Sequence, residues 1–219
     1  MSTPSPSPRP RSGKAKLVGV AVAVVLGAVI IGTAVQTLRA RPQVVREPAV
    51  SAIERFGIGR AADPRLPAPP IELVALDGSK VSLAAARGQV VFVNFWATWC
   101  PPCRDEMPSM VALGEELAAR YPGRFKMIAV TVDEDLAVVR SFFAAPPFSG
   151  PPGALSIVQD TDQAVTKAYY AQARGFTPDL KFPETYIVDK AGRLVAYVVG
   201  PRDWSDPAAR AFLEALIRS

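Results

Sequence analysis

The stretch Val90 to Cys103, VVFVNFWATWCPPC, runs an apolar strand into Trp99-Cys100-Pro101-Pro102-Cys103 and holds both cysteines of the 219-residue chain. If the residues that follow are helical, the i, i+3 spacing puts both sulfurs on one helical face, within disulfide reach. A thiol at the first turn of a helix faces unpaired N–H groups and the positive end of the helix dipole, which favour thiolate. Cys100 is therefore the candidate nucleophile. Cys103, one turn further in, is the candidate resolving thiol that attacks a mixed disulfide and releases the reduced partner. Pro101 and Pro102 suit a helix start, where a missing N–H costs little and φ is already near helical.

Other uses of the cysteine pair fit less well. A structural zinc site needs four ligands, and with no histidine and no third cysteine the pair supplies half. An inert disulfide across so short a loop constrains the unfolded chain little. Haem attachment requires a histidine where Arg104 stands. No metal and no cofactor are expected. The absence of histidine also excludes His-based triads and Cys-His nucleophiles.

The net charge of +5 is unevenly placed. Residues 1–70 hold ten of the 25 Lys/Arg and three of the 20 Asp/Glu, so the remainder is slightly acidic and offers no basic face to nucleic acid. Residues 1–16 are Pro/Ser-rich and basic and read as a disordered tail. Leu17 to Val35 carries no charge over nineteen residues. At about 1.5 Å per residue that run just crosses a hydrocarbon core of about 30 Å. It is read as an uncleaved anchor, the alternative being a cleaved signal peptide, whose apolar core is usually shorter. Residues 36–70, with Pro42, Pro48, Pro64, Pro67, Pro69 and Pro70, read as a semi-stiff linker. Within them Gly57 to Ala62 matches GxGxxA, but no strand is expected before it, and Asp63-Pro64 stops any helix, so a dinucleotide site is not expected.

The domain proper is expected at residues 71–219. Ile71 to Leu76, Asp77-Gly78 and Lys80 to Leu83 read as a hairpin. Val90 to Trp96 reads as a strand buried on both faces, with Asn94 its one polar residue. Helix Pro101 to Arg120 contains Pro108, which removes a backbone bond and is expected to kink it. Strand Phe125 to Val132, helix Asp135 to Ala144, strand Leu155 to Val158 and helix Asp162 to Gln172 follow, and the crossovers predict parallel pairing. Phe182 to Asp189 and Leu194 to Val199 read as the last two strands, with Trp204 as packing and Pro207 opening a closing helix to Arg218.

WCPPC after an apolar strand resembles the active site of the thioredoxin superfamily, and FWATWCPPCRDEMP resembles its membrane-anchored TlpA/ResA/CcmG-like branch. The resemblance covers roughly residues 71–219. It implies an α/β thioredoxin-like fold: a central mixed β-sheet flanked by helices, with an N-terminal β-hairpin and a central strand-helix insert, preceded by a single transmembrane helix. General thioredoxins carry a buried Asp where this chain has Asn94. In the resembling branch the proton-transfer task falls to a Glu three residues after the second cysteine, and Glu106 occupies that place; a solvated helix acid is the plainer alternative. Phe182-Pro183-Glu184-Thr185 resembles the family's cis-proline loop, where an extended partner segment can pair beside the nucleophile. Pro178 is the competitor for that role. Trp99, Pro101, Pro102, Phe182 and Pro183 are the candidate partner-binding residues, with Phe182 bulkier than the family's usual residue before this proline.

The implied activity is thiol-disulfide exchange by a tethered oxidoreductase of a bacterial inner membrane, its catalytic domain on the periplasmic side. The implied partners are disulfide-containing extracytoplasmic proteins, such as apocytochrome c or copper-site cysteines, and an upstream membrane thiol donor. A disulfide-forming oxidase and a tethered copper(I)-binding module remain as alternatives.

Overall fold

A computed structural model describes residues 56–175 and 180–219. The basic tail, the apolar run 17–35, the chain up to residue 55, and Pro178 lie outside the described residues. Among those that are described, no helix is long and apolar enough to cross a membrane.

Strand β4 (Val90–Trp96) is the axis of the molecule, every one of its residues buried. An unbroken run of β-branched and aromatic side chains satisfies both faces of a central strand and no exposed one. On one side β4 pairs in parallel with β5 (Phe125–Thr131), which pairs in parallel with β6 (Leu155–Gln159). On the other it pairs antiparallel with β7 (Glu184–Val188), then β8 (Leu194–Val199), then β1 (Ile58–Arg60). The six-stranded sheet is thus mixed, in the order β1-β8-β7-β4-β5-β6, and a separate hairpin is formed by β2 (Glu72–Val74) and β3 (Lys80–Ser82).

Alternation along β4 assigns the two faces of the sheet. Phe92 and Trp96 point to the layer holding helix α1 (Pro101–Arg120), α2 (Leu136–Ala144) and α4 (Pro207–Arg218). Val91, Val93 and Phe95 point to the layer holding the hairpin and α3 (Ala164–Arg174). Asn94, in step with Phe92 and Trp96, faces α1. Helix α1 runs unbroken through Pro108, which lies on its exposed side, while Met107, Met110 and Leu117 are fully buried against the sheet.

The expected boundary at residue 71 moves upstream. Ile58–Arg60, expected to belong to the linker, pairs with Ala196 to Val198 as the edge strand of the main sheet. A strand of three residues with Gly59 at its centre is too short to show an alternating pattern. The glycine has a packing reason. A Cβ on Gly59 would lie 2.6 Å from the ring of its cross-strand partner Tyr197, so the ring covers the bare backbone instead.

Candidate active site

The loop from Ala97 to Cys100 joins the C-terminal end of β4 to α1. Buried Asp133, just beyond β5, accepts the Thr98 main-chain N–H at 2.9 Å and the Thr98 hydroxyl at 2.7 Å. This pins the turn immediately before the first cysteine. Cys100 is the N-cap residue of α1, and its Sγ accepts the main-chain N–H of Cys103 at 3.3 Å. Pro101 and Pro102 occupy the first two helical positions, so the N–H at the second position, which would otherwise also face that sulfur, is missing.

Cys100 and Cys103 form a disulfide, with Cα atoms 5.3 Å apart. Cys103 is fully buried and Cys100 reaches the surface only slightly, whereas Trp99 beside them is 64% exposed. Both cysteines are thus buried, the second more completely than the first.

Glu106 lies one turn beyond Cys103 and is 4% exposed. Its carboxylate is held from three directions. Oε1 accepts the Asn94 side-chain N–H at 2.9 Å, while Oε2 accepts the Arg202 main-chain N–H at 3.0 Å and the indole N–H of Trp204 at 3.2 Å. Asn94 also donates to the Thr185 hydroxyl at 3.0 Å, tying the network to β7. Burial pushes the Glu106 carboxyl up to about 7, against the partial downward pull of the Arg202, Asn94 and Trp204 hydrogen bonds and the Arg202 charge. An open cleft of about 420 Å³, walled by Asp105, Pro108, Ser109, Pro201, Arg202 and Asp203, has Glu106 in its lining.

Phe182 and Pro183 enter β7 through a cis peptide bond. Phe182 is half-buried, and its ring meets that of Trp99 edge to face, centroids 5.9 Å apart. The residues expected to contact a partner thus divide. Trp99 and Pro101 are exposed, Pro102 and Phe182 are half-buried, and Pro183 is buried. On the opposite face of the sheet, the next residue, Glu184, is fully buried and ion-paired at 2.7 Å with Arg174 from the last turn of α3.

Two members of the Glu106 network go beyond the sequence-based expectation. Trp204, expected only to pack, does pack against Phe92 and Phe56 while also donating to the carboxylate. Arg202 contributes through its backbone, a donor that every non-proline residue carries and that leaves no mark in a sequence.

The match with known proteins follows the same outline. The Redoxin family model matches residues 62–213. The chain belongs to the Redoxin family. It is 33% identical over 139 residues to the thioredoxin-like protein YneN of Bacillus subtilis, covering 61% of this chain and 69% of that protein. It is 31% identical over 148 residues to the thiol-disulfide oxidoreductase ResA of Bacillus thuringiensis, covering 67% of this chain and 72% of that protein. Among solved structures, a thioredoxin-family thiol:disulfide interchange protein from Chlorobium tepidum is 31% identical with a TM-score of 0.54, over 71% of this chain and 99% of its own. This Redoxin-family chain is a thioredoxin-like thiol-disulfide oxidoreductase of the ResA type, with one CxxC pair.

Proposed function

We propose that the chain is a membrane-tethered, extracytoplasmic reductase of protein disulfides, with Cys100 as nucleophile, Cys103 as resolving thiol and Glu106 as the carrier of the Cys103 proton. The dithiol form attacks with the Cys100 thiolate. A Cys100–partner disulfide forms and one partner sulfur leaves as thiolate. Cys103 then gives its proton to the Glu106 carboxylate and attacks Cys100 Sγ. The mixed disulfide breaks, the second partner sulfur leaves and is protonated, and two electrons have passed to the partner. An upstream dithiol returns the Cys100–Cys103 disulfide to its reduced form.

The observation that carries this reading is the position of Glu106, buried one turn from Cys103, with three donors and a carboxyl raised to about 7. A group near neutrality can both take and return a proton at working pH. Direction is supported by the two prolines. With only the Cys103 N–H left to stabilise a Cys100 thiolate, the reduced form gains little, and a dithiol that is not stabilised gives up its electrons readily. The tether rests on the apolar run Leu17 to Val35, and the extracytoplasmic placement on the chain's freedom from any other cysteine, which removes mispairing among disulfides. Trp99 and Phe182 are the surface on which a partner segment lies, and apocytochrome c or copper-site cysteines are suitable targets.

The deciding measurement is the midpoint potential of the Cys100/Cys103 couple in the full chain. A value near the roughly −270 mV of reducing thioredoxins is expected, and one near the roughly −120 mV of a strong oxidant would reverse the direction. In the same preparation Cys100→Ser should abolish disulfide reduction.

A further inference from the structure

Phe56 and Gly57, which lead into β1, touch the groups that hold Glu106. The Arg202 guanidinium donates through Nε to the Phe56 carbonyl at 2.9 Å and through Nη1 to the Pro201 carbonyl at 2.8 Å. It lies over Gly57, whose φ is +76° and where a Cβ would come within 2.6 Å of Nη2. The Phe56 ring meets the Trp204 indole at 5.2 Å between centroids, and Phe92 meets the same indole at 4.7 Å. Arg202 and Trp204 supply the two N–H groups on Glu106 Oε2.

We propose that Phe56, Gly57 and Arg202 are positioning residues for the Glu106 proton: the Phe56–Gly57 segment straps down the Arg202 guanidinium and backs the Trp204 indole, and the proton affinity of Glu106 depends on that seating. The inference rests on the reading of Glu106 given above. Among the described residues, the charged and titratable groups around the carboxyl are few. Its own helix carries Asp105 and Arg104, the latter lying over the Phe142 ring, and the two cysteines are joined in the disulfide; the connection from β8 to α4 carries Arg202 and Asp203; β4 and β7 present the uncharged Asn94 and Thr185. Among the described residues, Arg202 is the cation whose charge acts on the carboxyl, and it favours the ionised carboxylate. A glycine at 57 is needed twice, for the left-handed backbone and for the close approach of the guanidinium.

The experiment titrates the side-chain carboxyl carbon of Glu106 by NMR in the oxidised full chain in detergent, the resonance being assigned by its loss in Glu106→Gln. Arg202→Met is expected to move the midpoint upward by about half a pH unit or more, because the cation is lost. Arg202→Lys, which keeps the cation, should stay close to the parent. Gly57→Ala, which leaves Arg202 in place but displaces its guanidinium, should move the midpoint upward by a smaller amount. A titration of Arg202→Met that superimposes on the parent overturns the proposal, and should that variant not fold, an unmoved midpoint in Gly57→Ala overturns it equally. The pH profile of partner-disulfide reduction is recorded alongside. If the NMR midpoint moves and the rate profile follows, both readings stand. If the midpoint moves and the rate profile does not, the strap is real, and it is the role of Glu106 in exchange that falls.

Discussion

Asn94 on the central strand donates its side-chain N–H to Oε1 of Glu106 across 2.9 Å, joining β4 to the helix of the two thiols. The contact orients a carboxyl whose burial has cost it most of its acidity.

That cost should appear in the pH dependence of stability. The Glu106 carboxyl ionises near 4.5 in the unfolded chain and at about 7 in the folded one, so the folded state binds the proton more tightly. Stability from this group is fully present below the unfolded value and is lost as pH rises through the folded one, by about 3 kcal/mol in all. Denaturant unfolding of the oxidised protein at pH 5 and pH 8 should show this fall, and Glu106→Gln should remove it. An equal fall in both proteins would assign the slope to another group.

Asn94→Asp places a second carboxyl against the first. Two carboxylates in hydrogen-bond contact cannot both ionise readily, so the pair should hold a shared proton and release it in two coupled steps, the later one above 7. Resolution of the mixed disulfide should then need a higher pH. Stopped-flow measurement of partner release across pH 5 to 9 checks this, and a profile unchanged from the parent would mean that Asn94 does not bear on the proton at all.

Some of this site is legible in the chain and some is not, for physical reasons. Val90–Trp96 and Pro101–Arg120 have the bounds that the sequence predicts, because an unbroken apolar run and a proline pair at a helix start are strong local signals. Asp206 caps α4 by accepting the Ala208 N–H at 2.7 Å, a contact between near neighbours. Asn94 stands out as a polar residue in an apolar strand, but its partner lies twelve residues on. The Arg202 and Trp204 donors come from 96 and 98 residues beyond Glu106, across the whole sheet. Local pattern encodes strands and caps, whereas a network closed by packing between distant segments has no local signature.

The proline pair makes its own prediction. Pro102 stands at the second helical position, where an N–H would point at the N-cap sulfur. Pro102→Ala restores that donor and stabilises the Cys100 thiolate. One charge-assisted hydrogen bond of about 1.5 kcal/mol corresponds to about 30 mV for a two-electron couple, in the oxidising direction. The pKa of Cys100, followed by thiolate absorbance, should fall in step. A lowered pKa with an unmoved potential would mean that the disulfide form is stabilised equally.

The aromatic pair at the rim tests partner recognition separately from the chemistry. Trp99 is 64% exposed, beside a sulfur that is nearly covered, and its ring is held edge to face by Phe182. A ring this exposed gains little by folding and much by being covered by a partner. Trp99→Ala should therefore raise KM for a protein disulfide about tenfold, the equivalent of about 1.4 kcal/mol, with kcat nearly unchanged. Phe182→Ala should act in the same direction, since it releases Trp99 from its seat. Reduction of a small aromatic disulfide, which reaches Cys100 without spanning the rim, should be much less affected in both variants. Equal loss toward the large and the small substrate would show instead that the pair supports the thiols themselves, and partner recognition would have to be sought elsewhere on the surface.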